Sequence, residues 1–408
     1  MQFVLGTSVA LLGSFCSLLT AAEWDEWRGP HRDGVLIAEP RVWPAKLKLK
    51  WKTEIGGGHA SPILAGGSIY AFARQSGLET VLAIDPATGK IRWKEQYPAP
   101  YKVNPAAAAH GDGPKSTPVY SNGRVYTLGI SGILSSFDAE TGKLIWRKEF
   151  SKQYKATSPQ FGAATSPLVD GKMLITQVGT DDDGAVAAFD TDTGAVKWAW
   201  NADGTSYTSP VIFEAAGVRQ VVTQTKTNII GLALASGKLL WKIPFHVQYD
   251  MNIVTPLAYH DTLIFSGMDL GVREVRLVRN GEQWSAQEVW KNSDVAMHMN
   301  SPVLEGDLVF GFSHLKKGQL FCLDARTGKT LWTGPPRDGD NAALLVSPAS
   351  LIELKNDGEM VVAKAGAKSF EVEHRYTVSE NETWAHPLVL ADGVLIRDTK
   401  SVARWSVE

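Results

Sequence analysis

Asp138-Ala-Glu-Thr-Gly-Lys-Leu-Ile-Trp146 decides the fold, because the chain repeats it at Asp85-Pro-Ala-Thr-Gly-Lys-Ile-Arg-Trp93, Asp190-Thr-Asp-Thr-Gly-Ala-Val-Lys-Trp198 and Asp324-Ala-Arg-Thr-Gly-Lys-Thr-Leu-Trp332. Ala235-Ser-Gly-Lys-Leu-Leu-Trp241 is a worn copy. The Asp carboxylate can accept turn amide protons, and the Gly of Thr-Gly supplies the positive φ that a tight hairpin needs. The Trp that follows enters an outer strand, where a flat ring can wedge between neighbouring sheets. A unit of roughly 40–50 residues built of short strands cannot bury both of its faces alone, so the units must stack around a ring. The expected class is therefore all-β, an eight-bladed β-propeller, with seven blades as the alternative.

Working outward, each unit opens on a proline: Pro62, Pro118, Pro167, Pro210, Pro256, Pro302, Pro348 and Pro387, all but the last preceded by Ser or Thr. Proline lacks a donor and suits the first residue of a strand, so the apolar runs after it, such as Val119-Tyr120 and Val303-Leu304, read as innermost strands. Turns such as Asn122-Gly123 launch the second strand. The unit from His386 to Glu408 has material for only three strands, whereas Leu47-Lys-Leu-Lys-Trp51-Lys-Thr-Glu is an unpaired strand near the N-terminus. Pairing the two would close the ring and remove its open edge. Blades five and seven depart from the pattern: the fifth reaches Trp290 without a Thr-Gly turn, and the seventh, Ser347 to about Tyr376, has neither turn nor Trp.

Composition bounds the function. The 408 residues carry 41 Lys+Arg against 43 Asp+Glu, a formal charge of −2, which argues against a nucleic-acid surface. Phe3 to Leu19 is apolar or small and ends in Thr20-Ala21-Ala22, which reads as a signal peptide over residues 1–22 and predicts a periplasmic or secreted protein. Residues 23–408 form one propeller domain in this reading, with no transmembrane segment after signal removal. Phe15 precedes Cys16, so the sequence does not favour a lipid anchor there. Cys322 is the other cysteine, and no disulfide framework results.

Residues just before the Pro-initiated strands should gather at one mouth of the central shaft, where propellers bind ligands. These are His59, His110, Asp112, Lys115, Gln160, Tyr207, Tyr249, Asp250, His298, Asn300, Trp384 and His386. A plainer account is that a wet shaft needs polar walls. Imidazoles of His59, His110, His298 and His386 could meet on a metal, but no sequence-local ligand pair supports one, and none is assigned. Asp181-Asp-Asp-Gly184 lacks the alternating ligands of a calcium loop and reads as a hairpin tip. No nucleophile elbow, zinc helix or phosphate loop occurs.

The Asp-x-x-Thr-Gly-Lys-x-x-Trp turns and Ser-Pro strand starts resemble the pyrroloquinoline-quinone (PQQ)-like repeat propellers, a superfamily of quinoprotein dehydrogenases and BamB-like scaffolds. The segments Trp24-Asp-Glu-Trp-Arg-Gly-Pro30, His110-Gly-Asp-Gly-Pro-Lys-Ser-Thr-Pro118 and Thr383-Trp-Ala-His-Pro387 look like the secreted members common in planctomycete and verrucomicrobial bacteria. In the dehydrogenases the resemblance implies a quinone stacked between a Trp and a vicinal disulfide, a calcium held by carboxylate and amide oxygens, and an Asp base. Cys16 and Cys322 cannot make that disulfide. The expectation is accordingly a non-catalytic exported propeller that binds an unknown protein, peptide or saccharide, with no catalytic residue carried over. The alternatives are a quinoprotein-like oxidoreductase with PQQ in the shaft and a BamB-like outer-membrane assembly scaffold.

Overall fold

The Trp of most repeats docks on the following blade, and this contact organises the ring. In the computed structural model, which describes residues 23–154 and 158–408, eight four-stranded antiparallel sheets form the blades. Residues 1–22, read above as a signal peptide, and Cys16 among them lie outside the described residues. The indole Nε1 donates to the carbonyl of the residue after the turn Asp: Trp51 to Pro86, Trp93 to Ala139, Trp146 to Thr191 and Trp290 to Ala325, at 2.7–3.1 Å. The ring plane covers the turn glycine, so that a Cβ on Gly142 would sit 2.5 Å from Trp93 and one on Gly194 2.8 Å from Trp146. The Asp carboxylate closes the turn as expected, with Asp138 Oδ1 accepting from Thr141 N at 2.8 Å and Thr141 Oγ1 at 2.7 Å.

Blade five shows what happens without the turn. Trp241 of blade four has no Thr-Gly platform ahead of it; its indole instead lies on Gly231 of its own sheet and donates to Gln220 Oε1 at 2.6 Å. Blade seven spans Ala342–Thr377, and Tyr376 takes the place of the missing Trp, packing on Trp43 and donating to Pro44 O. Its innermost strand is Ala342–Val346, so Pro348 lies in the turn before Ser350–Lys355 and does not open the blade. The other seven prolines each precede an innermost strand directly.

The ring closes through its termini. The strand Lys48–Glu54 pairs antiparallel with Ser401–Ser406, in register Lys52 to Ala403 and Thr53 to Val402, and forms the outermost strand of blade eight. Apolar clusters lie between successive blades, as in the Val125–Tyr70–Phe137 group between blades one and two and the Phe213–Phe265 group between four and five. The core is thus distributed around the ring.

Two further devices act at the axis. Ser and Thr before the prolines stitch neighbouring innermost strands together: His386 N donates to Ser61 Oγ, Ser61 N to Thr117 Oγ1, Thr117 N to Ser166 Oγ, and Ser166 N to Ser209 Oγ, at 2.9–3.1 Å. The second device is a floor. Innermost strands leave carbonyls unpaired toward the axis, and a buried carbonyl needs a partner. The segment after Glu23 crosses under the ring and supplies donors: Arg32 to Ser166 O and Pro167 O at 2.8 and 2.9 Å, and Arg28 to Pro302 O. Its backbone is pinned by Trp24 to Leu64, Asp25 to Tyr120 and Leu36 to Val346. Trp27 meets the His386 ring edge-on at 5.7 Å.

Candidate functional site

Connections from outermost strands to the next innermost strands converge at one mouth of the shaft. They enclose about 490 Å³ of space. Of the twelve residues read from the sequence, His59, His110, Lys115, Tyr207, Tyr249, His298 and Trp384 line it. The remaining five are placed elsewhere. Asp112 is exposed and pairs with Arg74 at 3.0 Å. Asp250 pairs with His246 at 2.7 Å, and Gln160 donates to Tyr249 O at 3.1 Å from the rim. Asn300 is buried and clamps the Phe312 backbone. His386 belongs to the floor against Trp27.

Three rings make one wall. His59 donates its Nε2 proton to His110 O at 2.9 Å, which leaves Nδ1 as the acceptor. Trp384 stands edge-on to His110 at 4.7 Å and to His59 at 6.1 Å between centroids. Burial pushes the His59 imidazole down to about 3 and lowers His110, with the charge of Lys115 acting in the same direction on both. His298, across the cavity, is pushed down to about 4 by burial, and its ring meets His314 at 5.9 Å. These imidazoles are therefore neutral at pH 7. They do not converge on one point, and no group of three His, Cys, Asp or Glu among the described residues is placed to hold a metal ion.

Lys115 and Tyr207 together hold the backbone of Phe161. Lys115 Nζ donates to Phe161 O at 2.9 Å, and Tyr207 Oη accepts from Phe161 N at 3.3 Å. Burial lowers the Lys115 ammonium to about 8, and desolvation is the one cause acting on it. Burial, reinforced by Asp181, holds the Tyr207 hydroxyl well above its ordinary value. Tyr249 sits at the mouth with φ 63°, beside Asp250 with φ 58°; two left-handed non-glycine residues in succession mark a strained rim loop.

What the sequence reading passed over is the apolar share of the lining: Ala106, Ala107, Phe161, Ala164, Met251, Ile253, Met268 and Met299. All but Met268 sit on the same connections as the polar residues, where an apolar loop residue before a strand is the signal that would have found them; Met268 enters from the hairpin turn between Thr262–Gly267 and Gly271–Asn280. No Asp or Glu is among the lining residues. Glu382 acts on His110 and accepts from Trp384 Nε1 on the exposed side.

This donor set does not fit the calcium-bound quinone that the dehydrogenase branch implies. A hard divalent cation needs several oxygen ligands, and the lining has no carboxylate to offer. Cys322, buried inside blade six with its thiol pushed up to about 12, has no cysteine partner among the described residues for a stacking disulfide.

The comparisons with known proteins agree with the architecture. Over 163 residues the chain is 31% identical to the dehydrogenase subunit of the quinone alcohol dehydrogenase of Gluconobacter oxydans, an alignment covering 38% of this chain and 21% of that protein. The match thus spans about a fifth of the dehydrogenase subunit's length. Outer membrane protein assembly factor BamB of Yersinia pestis is 25% identical over 338 residues, covering 80% of this chain and 68% of BamB. A solved europium-containing methanol dehydrogenase superposes with a TM-score of 0.69 over 93% of this chain and 90% of its own, at 13% identity, which establishes shared fold alone. No helix among the described residues is long and apolar enough to cross a membrane. The family profile described as outer membrane protein assembly factor BamB matches residues 37–95 and 79–334, and the chain belongs to that PQQ-repeat propeller family.

Proposed function

We propose that this is an exported, non-catalytic propeller that uses its open shaft mouth to bind a small ligand with an apolar body. The observation that carries the reading is the composition of the cavity: alanines, methionines and aromatic rings, with neutral imidazoles and no carboxylate. General acid–base work at neutral pH needs groups poised near 7 and within reach of each other. Here the His59 and His298 imidazoles stay far below that range, His110 is also lowered, and Lys115 is held by a backbone carbonyl. A few polar groups converging in an apolar concavity are what a binding site requires.

The test is native mass spectrometry of the protein purified from the exported fraction, followed by the same preparation with PQQ and calcium added and an assay for dye-linked alcohol oxidation. The expected result is a small organic ligand retained or readily exchanged, without calcium-dependent quinone retention. Stoichiometric quinone with alcohol turnover would overturn the reading in favour of an oxidoreductase.

A further inference from the structure

We infer that the ligand of the shaft mouth is a small carboxylate amphiphile, its anionic end on Lys115 and its apolar body against the methionine and aromatic wall. This rests on the reading of the cavity as a ligand site and adds the ligand's charge to it. Charge balance supplies the argument. Lys115 uses one hydrogen bond, to Phe161 O, while an ammonium carries three donors. No carboxylate lines the cavity, and none among the described residues pairs with this ammonium. A buried charge without a counterion is unfavourable unless a ligand supplies one.

The surroundings reinforce the sign. Arg397, fully buried beside the shaft, donates to Ala60 O and Phe72 O at 2.9 and 2.5 Å, and its charge also reaches His59. Four carboxylates act on the wall, all from outside the lining: Glu382 on His110, Asp181 and Asp250 on Tyr207, and Asp269 on His298. His59, His110 and His298 are neutral, so the positive charge in the lining at pH 7 is that of Lys115. The remainder of the site suits a hydrocarbon. Met251, Met268 and Met299 offer flexible, polarisable contacts that adapt to an alkyl chain or a ring. With one cation and much apolar surface, the wall matches a single carboxylate on a hydrophobic body better than a sugar or a polyanion.

The probe is 4-phenylbutyrate, compared by calorimetry at pH 7 with 4-phenylbutanol and 4-phenylbutylamine, using the intact protein. The carboxylate should bind about 10- to 100-fold more tightly than the alcohol, the range for a hydrogen bond to a charged partner, and the amine most weakly. Lys115→Met should remove the carboxylate's advantage and bring it down to the level of the alcohol in the same variant. Met268→Trp, which fills the cavity, should abolish binding of all three and places the site. Equal affinities for the three probes, or a carboxylate preference that survives Lys115→Met, would overturn the charge assignment while leaving the cavity a binding site. Failure of all three to bind the wild-type protein would overturn both.

Discussion

Gly142→Ala is expected to destabilise the propeller by about 2–5 kcal/mol, more than the same change at Gly123. Both glycines have nearly the same backbone, φ 75° and 74°. A left-handed residue with a Cβ costs roughly 1–2 kcal/mol, and that share is common to the two variants. They differ in what the new methyl meets. At Gly123 there is nothing within 4 Å, whereas at Gly142 the Cβ falls 2.5 Å from Cε3 of Trp93, the indole seated on this turn from the preceding blade. Moving a packed indole adds about 1–3 kcal/mol, the usual range for overpacking. Chemical denaturation of both variants measures the difference directly. Equal losses would show that Thr-Gly serves the hairpin only, and that Trp is not what joins one blade to the next.

Lys115→Met should act in the opposite direction and raise the melting temperature. The ammonium is lowered from 10.5 to about 8 by burial. At 1.36 kcal/mol per unit, and with the side chain only partly buried, its presence at neutral pH costs the fold on the order of 1–3 kcal/mol. The unfolded chain holds this proton more tightly than the native one. The penalty is therefore complete below about pH 8 and is relieved as pH approaches 10.5. Wild-type stability should gain a contribution across that window that the variant lacks, as followed by thermal melts at a series of pH values. A residue retained against its own stability cost is what a binding role would explain. Should Lys115→Met lower the melting temperature at pH 7, the amine would be a structural tie for the Phe161 loop, and its ligand role would lose its main support.

The fold was legible because its cement is local in sequence. Asp, Gly and Trp of one repeat sit within nine positions of each other, as in Asp138 to Trp146, although the contact they make is with the neighbouring blade. Blade eight could be read from a deficit, three strands at one terminus and a spare Trp51 strand at the other. Pro348 misled for a physical reason: a Ser-Pro pair fits a hairpin turn as readily as a strand start, and in blade seven no Trp or Thr-Gly marks the phase.

The site was legible in part. Connections before the innermost strands do bring His59, His110, Lys115, Tyr207 and Trp384 together, yet not every residue of such a connection faces the cavity. Hence His298 and Met299 face the cavity while Asn300 turns inward to hold Phe312. His386 lies two residues beyond Trp384 and is drawn into the floor instead. The floor itself left no local trace. Arg28 and Arg32 act on carbonyls more than 130 residues away, at Pro302 and at Ser166 and Pro167, and only the assembled ring defines where those carbonyls point.

Closure of the ring by the N-terminal strand underlies the floor, the cavity and the ligand assigned to it. The most direct test is oxidation of the variant carrying Lys52→Cys with Ala403→Cys, residues paired across the junction of Lys48–Glu54 with Ser401–Ser406. Directly opposed antiparallel residues have Cα separations of about 4.5–5.5 Å, within the reach of a disulfide. Mass spectrometry after mild oxidation should find the two cysteines joined in nearly every molecule, and the oxidised protein should melt above the reduced one. Two free thiols in a folded protein would mean that the termini do not meet and that the ring is not closed in this way.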